Sequence, residues 1–357
     1  MYNLNLLRIC AVLFVICFVV ACKSKPPKII GNDSLKRDTE IISNRAGHPI
    51  DFEKTAIIDT LFVTDHSGTV MKQDPDTASQ TLGKLDLGEE LDVIETKGNW
   101  IGVRERLTRE LTKRDEIIGW EEVFIQKNSV GKLSDIKLSS DQLYVLDSYY
   151  KKNAKSVNVS DYLSIELIDK DEFETKKQSA IPDLMIADTN MIVKNKGVIT
   201  LPLSKGFKRY KDMPDAEEQT CVYTYCGQIP PLNVYVVSGA YYEDGDNKLI
   251  DKSSGKEVAI LEGDPVVSPQ KNYLVSIATD AYAENGADFQ LYKINNLKFT
   301  QVAQFSFKYW TPDETDQQKI FWSSDGYLYV PVITYQASLH NDQSVKNQTQ
   351  YLKIGIK

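Results

Sequence analysis

Few residues of this 357-residue chain combine the types and spacing that chemistry asks for. Cys221 and Cys226 enclose Val-Tyr-Thr-Tyr, which reads as strand. Five strand steps of about 3.3 Å put their Cα atoms about 16 Å apart, whereas a disulfide needs less than about 7 Å. The odd offset also points them to opposite faces, so no disulfide is expected between Cys221 and Cys226, and both read as small buried hydrophobes. A cysteine nucleophile needs a histidine beside it. His48, His66 and His340 are scattered, and none adjoins a cysteine in sequence. The turn Tyr242-Glu243-Asp244-Gly245-Asp246-Asn247 offers Glu243, Asp244 and Asp246 to Ca²⁺. It lacks the longer loop and closing Glu of a helix-flanked calcium site, and a solvated hairpin tip is the other reading. Tyr309-Trp310-Thr311-Pro312-Asp313-Glu314 sets aromatics beside a turn, either as a recognition edge or as core. No zinc ligand set, glycine-rich phosphate loop or Ser-His-Asp order stands out. The residues point to a non-enzymatic protein with no catalytic residue and no cofactor.

The composition frames that reading. With 42% hydrophobic and 26% charged residues the chain can bury a sizeable core, and its length suits two or three domains. Lys and Arg number 42 against 50 Asp and Glu, a net charge of −8. A nucleic-acid binder needs a basic face for the phosphates, so nucleic acid is not an expected partner.

The first residues belong to export rather than fold. Arg8 precedes 13 apolar or small residues, Ile9 to Ala21. As a helix they span about 20 Å, short of a hydrocarbon core of about 30 Å, and the length fits a secretory signal, residues 1–21. The ending Val19-Val20-Ala21-Cys22 resembles a bacterial lipobox. The resemblance implies cleavage before Cys22, diacylglycerol on its thiol and, usually, a palmitate-type acyl chain on its amine. Each buried methylene adds about 0.8 kcal/mol, so two or three chains make a stable membrane anchor. Cleavage removes Arg8 and no acid, leaving −9. Residue 23 is Lys rather than Asp. A Gram-negative lipoprotein of this kind would be expected in the outer membrane, and the general expectation is the cell envelope.

Residues 22–57 read as a tether, opening on Lys-Ser-Lys-Pro-Pro-Lys. Residues 58–130 then carry short strands, at Thr60–Val63, Leu82–Leu85, Glu90–Glu95, Trp100–Arg104 and Ile117–Phe124, with turns between them. Their succession suits a small barrel. Within it stand Lys72-Gln73-Asp74-Pro75, Leu82-Gly83-Lys84-Leu85, Gly88, Leu91-Asp92-Val93-Ile94-Glu95, Gly98-Asn99-Trp100, Val103-Arg104 and Gly119-Trp120. In order and spacing this resembles a bacterial SH3 (SH3b) domain. Two departures are Asp74, where the family usually has Gly, and the charged run Arg106–Glu116, which reads as a lengthened loop. The resemblance implies binding of cell-wall peptides or proteins, or a spacer role. Trp100, Trp120 and Phe124 are its candidate ligand surface, because exposed aromatics can grip extended peptides. Packing on the barrel is the competing role for the tryptophans.

Residues 138–357 read as a larger β-rich domain. Asp169 followed by Glu172 marks a short helix, and the later text is mostly strand. Val267-Ser268-Pro269-Gln270-Lys271-Asn272-Tyr273-Leu274 and Trp322-Ser323-Ser324-Asp325-Gly326-Tyr327-Leu328 echo one another about 55 residues apart. Both resemble a turn of β-propeller blades. The expected fold class is therefore mainly β, a small SH3-like barrel followed by a propeller-like domain or a β-sandwich. The expected function is binding of peptidoglycan or an envelope protein at the membrane. The alternatives are an inhibitor or immunity-type lipoprotein that neutralises a toxin or lytic enzyme, and a cell-wall hydrolase with an unrecognised site.

Overall fold

The computed structural model describes residues 47–112, 115–147, 158–214, 219–242, 244–279, 286–313, 320–339 and 348–357, with backbone alone for 108–112 and 115–117. The signal segment, Cys22, Glu243 and His340 lie outside the described residues. The protein is mainly β, in several distinct sheets. Sheet I contains β1 (His48–Pro49), β2 (Asp59–Val63), β3 (Thr69–Lys72), β4 (Thr81–Leu85), β5 (Glu90–Lys97), β6 (Trp100–Thr112), β7 (Asp115–Gln126) and β8 (Val130–Gly131). Its order is β4-β3-β7-β6-β5-β2-β8, with β1 beside β7. Alternating residues of β2 to β7, among them Val63, Leu91, Val103 and Val123, form a buried cluster built from this sheet alone. A flat sheet cannot cover its own face, so sheet I curls around its core, although the hydrogen-bonded path does not close on itself.

Two boundaries differ from the sequence reading. The chain joins sheet I at His48, which pairs with Glu122, so the last residues of the expected tether 22–57 belong to the fold. The run expected as a long charged loop is instead a hairpin arm. β6 and β7 pair in one register from Arg106 opposite Trp120 to Glu110 opposite Glu116, and after a bulge Thr112 lies opposite Asp115. Alternation in Arg-Leu-Thr-Arg-Glu-Leu-Thr suits the period of a strand, and charge at those positions does not forbid pairing in water.

The larger unit opens with β9 (Leu163–Ile168) and helix α1 (Lys170–Lys177). Asp169 caps the helix by accepting from the Glu172 amide at 2.7 Å, as its spacing predicts. A hairpin of β10 (Val198–Pro202) and β11 (Phe207–Lys211) follows. Sheet II is the meander β12 (Cys221–Ile229), β13 (Val234–Tyr241), β14 (Gly245–Asp251) and β15 (Glu257–Leu261). Sheet III repeats it with β16 (Val266–Val267), β17 (Tyr273–Thr279), β18 (Ala287–Asn295) and β19 (Lys298–Ser306). Sheet IV runs β20 (Trp310–Pro312), β22 (Leu328–Thr334), β23 (Gln350–Ile356) and β9, with β21 (Phe321–Trp322) also on β22. Helix α2 (Tyr335–Leu339) leaves the end of β22. The two look-alike segments occupy equivalent places, the turns β16–β17 and β21–β22.

These sheets stack face on face. Ile199, Leu201 and Tyr210 of the hairpin pack on Tyr235, Val237 and Ile250 of sheet II. The opposite face of sheet II, with Val234, Val236 and Leu249, meets Leu274 and Ile294 of sheet III. Sheet III then packs Phe289, Phe305 and Leu291 against Leu328, Val330 and Ile354 of sheet IV, each large side chain worth about 1.5–3 kcal/mol of apolar burial. Phe173 of α1 covers the far side of sheet IV against Tyr329 and Tyr351. Trp310 is fully buried here, 4.5 Å from Phe307, with its indole N–H donating to the Leu143 carbonyl. Of the two readings of residues 309–314, the structure therefore supports core for Trp310.

A strap ties the stack across its sheets. The Ile181 amide donates to the Trp322 carbonyl in sheet IV. Ile186 exchanges backbone bonds of 2.8 and 3.0 Å with Gln228 in sheet II, while Leu184 and Met185 pack into the core between sheets II and III. Gly227 sits where the strap meets β12, at φ +141°, and a Cβ there would overlap the Ile186 carbonyl. The two units also share a core, in which Phe62, Leu87, Leu133 and Ile136 pack with Ile333 and Ala337.

Candidate functional site

A cleft of about 940 Å³ opens between sheets II and III, where the end of β13, the start of β14 and the end of β15 face the end of β17 and the start of β18. Four carboxylates line it: Asp244, Asp246, Glu262 and Asp288. Each is placed by the strand that carries it. The turn between β13 and β14 is pinned by the Tyr241 amide on the Asp244 carbonyl at 2.8 Å. Glu262 follows β15, and its amide donates to Oε1 of buried Gln290 on β18, at 2.9 Å. That bond joins the two walls. Gln304 donates to Glu262 Oε1 at 2.9 Å, and the Ser306 hydroxyl donates to Asp288.

Behind the acidic rim, on the face of sheet II turned to the hairpin, lies a buried cation. Lys248 on β14 donates to the Tyr241 hydroxyl at 2.7 Å and to Asp246. The Tyr241 hydroxyl donates in turn to Asp246 at 3.0 Å. Burial, and then the bond to Asp246, hold the Tyr241 hydroxyl well above the usual phenol range. Tyr241 continues into an aromatic row, with Tyr223 at 6.4 Å and Tyr210 a further 5.0 Å on. Exposed Tyr242 and Ile260 add apolar surface at the mouth. The cleft is thus a negatively charged, partly aromatic slot suited to a cationic or amine-bearing segment.

The calcium candidates divide. Asp244 and Asp246 both line the cleft, but Asp246 is committed to Lys248 and Tyr241, and Glu243 lies outside the described residues. Among the described residues no group of three or more His, Cys, Asp or Glu side chains is placed to hold a metal.

The three aromatics of the small unit do not form one exposed surface. Phe124 is 1% exposed, which removes it from the candidate ligand surface. It lies under the edge of His48 at 6.2 Å and the ammonium of Lys97 at 4.8 Å. Trp120 is half-buried and tilted against Phe52, centroids 4.5 Å apart. The Arg104 guanidinium stands 4.2 Å over Phe52 and 5.7 Å from Trp120, held by its bond to Asp92 at 2.7 Å. Trp100, also half-buried, opens β6 opposite Lys97 and Gln126. Of the three aromatics that the SH3b resemblance offers to a peptide, Phe124 thus has His48 against it and Trp120 has Phe52. Sequence reasoning missed Phe52 and Arg104. The available signal was an aromatic residue inside a stretch otherwise read as tether.

Cys221 and Cys226 are free thiols. The Cys221 sulfur lies against the Lys211 carbonyl on the hairpin side, while Cys226 packs into the core between sheets II and III. His48 bonds Asp74 at 3.0 Å, and His66 faces the Ser139 hydroxyl at 3.4 Å. Comparison of the chain with protein-family models and with curated proteins finds no match.

Proposed function

We propose that this is a non-enzymatic, lipid-anchored protein of the cell envelope that binds a positively charged segment of a cell-wall peptide or of a protein partner. The observation that carries the reading is the cleft between sheets II and III. Asp244, Glu262 and Asp288 line it as acidic groups, while Asp246 on the same rim is already paired with buried Lys248. A cationic ligand entering the slot would meet acceptors held in place by the strands beside them, and charge-assisted bonds are the strong ones. The lipobox at Val19–Cys22 supports the anchor, since a lipidated Cys22 would hold an acidic body at a membrane without help from its net charge.

The same reading extends to the fold. The small unit is SH3b-like, a curled sheet with that family's motifs in order, acting as a spacer that carries the larger unit. The larger unit is an open, propeller-like stack. Two four-stranded meanders follow one another, and a five-stranded sheet after them takes its outer strand from the start of the unit.

The test uses the mature chain with Cys22→Ala, so that it stays in solution. Immobilised, it should retain soluble peptidoglycan fragments or one envelope protein. Asp244→Asn with Glu262→Gln should reduce that retention at least about tenfold, since charged hydrogen bonds contribute roughly 1.5–3 kcal/mol each. Equal retention by the double variant would move the site away from the cleft, and no retention of either ligand class would remove the function.

A further inference from the structure

The stretch from Met191 to Met213 is the basic part of an acidic chain. It holds Lys194, Lys196, Lys205, Lys208, Arg209 and Lys211 against the single acid Asp212. Two of these cations are already used, since Lys194 pairs with Asp212 at 2.7 Å and Lys208 with Glu257 at 2.8 Å. Lys196, Lys205, Arg209 and Lys211 are exposed and, among the described residues, form no ion pair. The acids that follow in sequence, Asp215, Glu217 and Glu218, lie outside the described residues.

The hairpin β10–β11 presents this charge outward. Its inner face, with Ile199, Leu201 and Tyr210, is packed on sheet II. By the two-residue period of a strand, Phe207, Arg209 and Lys211 therefore share the outer face, at the end of the stack remote from α1. Phe207 is 56% exposed, with the Arg209 guanidinium 4.2 Å from its ring centroid. Met191 and Val193 just before the hairpin and Met213 just after it are also exposed, Val193 to 75%. Exposed apolar side chains set among cations that have no ion pair with a described residue suit an interface with headgroups on one side and acyl chains on the other. Acidic protein partners would match the charge, but a protein interface core is depleted of lysine, whereas basic segments at a membrane are lysine-rich.

We propose that the outer face of the β10–β11 hairpin docks on an anionic phospholipid surface, with Lys205, Arg209 and Lys211 on the headgroups and Phe207 entering the interface. The proposal is independent of the cleft. It also does not need the anchor, although a lipidated Cys22 would keep the hairpin near a bilayer.

The experiment is co-sedimentation of the unlipidated mature chain, Cys22→Ala, with vesicles of phosphatidylcholine alone or with added phosphatidylglycerol. Binding is expected to the anionic vesicles only and to weaken with salt. Each neutralised cation should lower partitioning about fivefold, so Lys205→Gln, Arg209→Gln and Lys211→Gln together should lower it about a hundredfold. Phe207→Ser should lower it further. The set Lys170→Gln, Lys177→Gln and Lys298→Gln, exposed elsewhere, should leave it within about twofold. All of these positions face solvent, and circular dichroism is the check that each variant is folded. No binding to anionic vesicles overturns the proposal, as does an equal loss in both charge sets or tighter binding to an acidic polypeptide or DNA than to the vesicles. The cleft variant Asp244→Asn with Glu262→Gln should bind vesicles as the parent does, which keeps the two proposals separate.

Discussion

Ile165 and Ile354 lie opposite one another in antiparallel register, so the strand that begins the larger unit is the outer strand of the sheet that ends it. Both side chains are buried in the core shared by sheets III and IV. Sheet IV is therefore complete only with the last strand in place. Ile354→Ala should cost about 2–5 kcal/mol through lost burial and the cavity left behind, read as a lowered urea midpoint at constant slope. A loss below about 1 kcal/mol would mean that β9 and β23 contribute little to the stack.

The strap makes a second, local prediction. Gly227→Ala should destabilise the protein and speed amide exchange at Ile186 and Gln228, because a methyl group collides with the Ile186 carbonyl at a φ that L-residues avoid. Gly98→Ala, at φ +61° with open space around it, should cost only about 1 kcal/mol. Equal effects at the two sites would mean that the strap is not held at Gly227.

Stability of sheet I should respond to pH through Glu122. Burial, and then its hydrogen bond with Glu95, raise its carboxyl above the usual value; Lys97 and His48 nearby oppose the shift. The folded state then binds a proton more tightly than the unfolded chain. This contribution favours folding below the unfolded pKa of 4.5 and is lost as pH rises through the raised folded value. Glu122→Gln should accordingly raise stability near neutral pH and narrow the difference as the pH falls through that window. Parallel pH curves for parent and variant, measured by denaturant unfolding, would contradict the assignment.

Behind the acidic rim of the cleft, Lys248→Met should cost about 3–5 kcal/mol, because it leaves Asp246 half-buried without its cation. Adding Asp246→Leu should recover much of that loss. A double-mutant cycle with no coupling would show that the pair does not act as a unit.

Much of the fold was legible wherever structure is local. Strands β2, β4 and β5 stood out because apolar alternation and turn residues coincide, and α1 because Asp169 and Glu172 have cap spacing. The β6–β7 arm was misread because charge resembles loop even where the period suits a strand. Pairing of β9 with β23 was hidden because no local pattern encodes a contact between the two ends of a unit. The cleft was illegible for the same reason, its walls being separate strands brought together by face packing. Phe124 looked available until His48 and Lys97 were placed over it. The basic hairpin escaped notice because a net charge of −8 averages over a strongly uneven distribution.

The slender attachment of β1 has a mechanical meaning. A pull arriving along the chain from its N-terminal side meets two register pairs, His48 with Glu122 and Pro49 with Glu121, and the Ile50 amide on the Trp120 carbonyl, before anything larger. The ring of Phe52, tilted against Trp120, adds a contact. Peeling this segment as far as β2 frees about 36–40 Å of extended chain while sheet I keeps its core. A load applied from the N-terminal side would therefore act on this short pairing before it reached the strands that carry the core of sheet I.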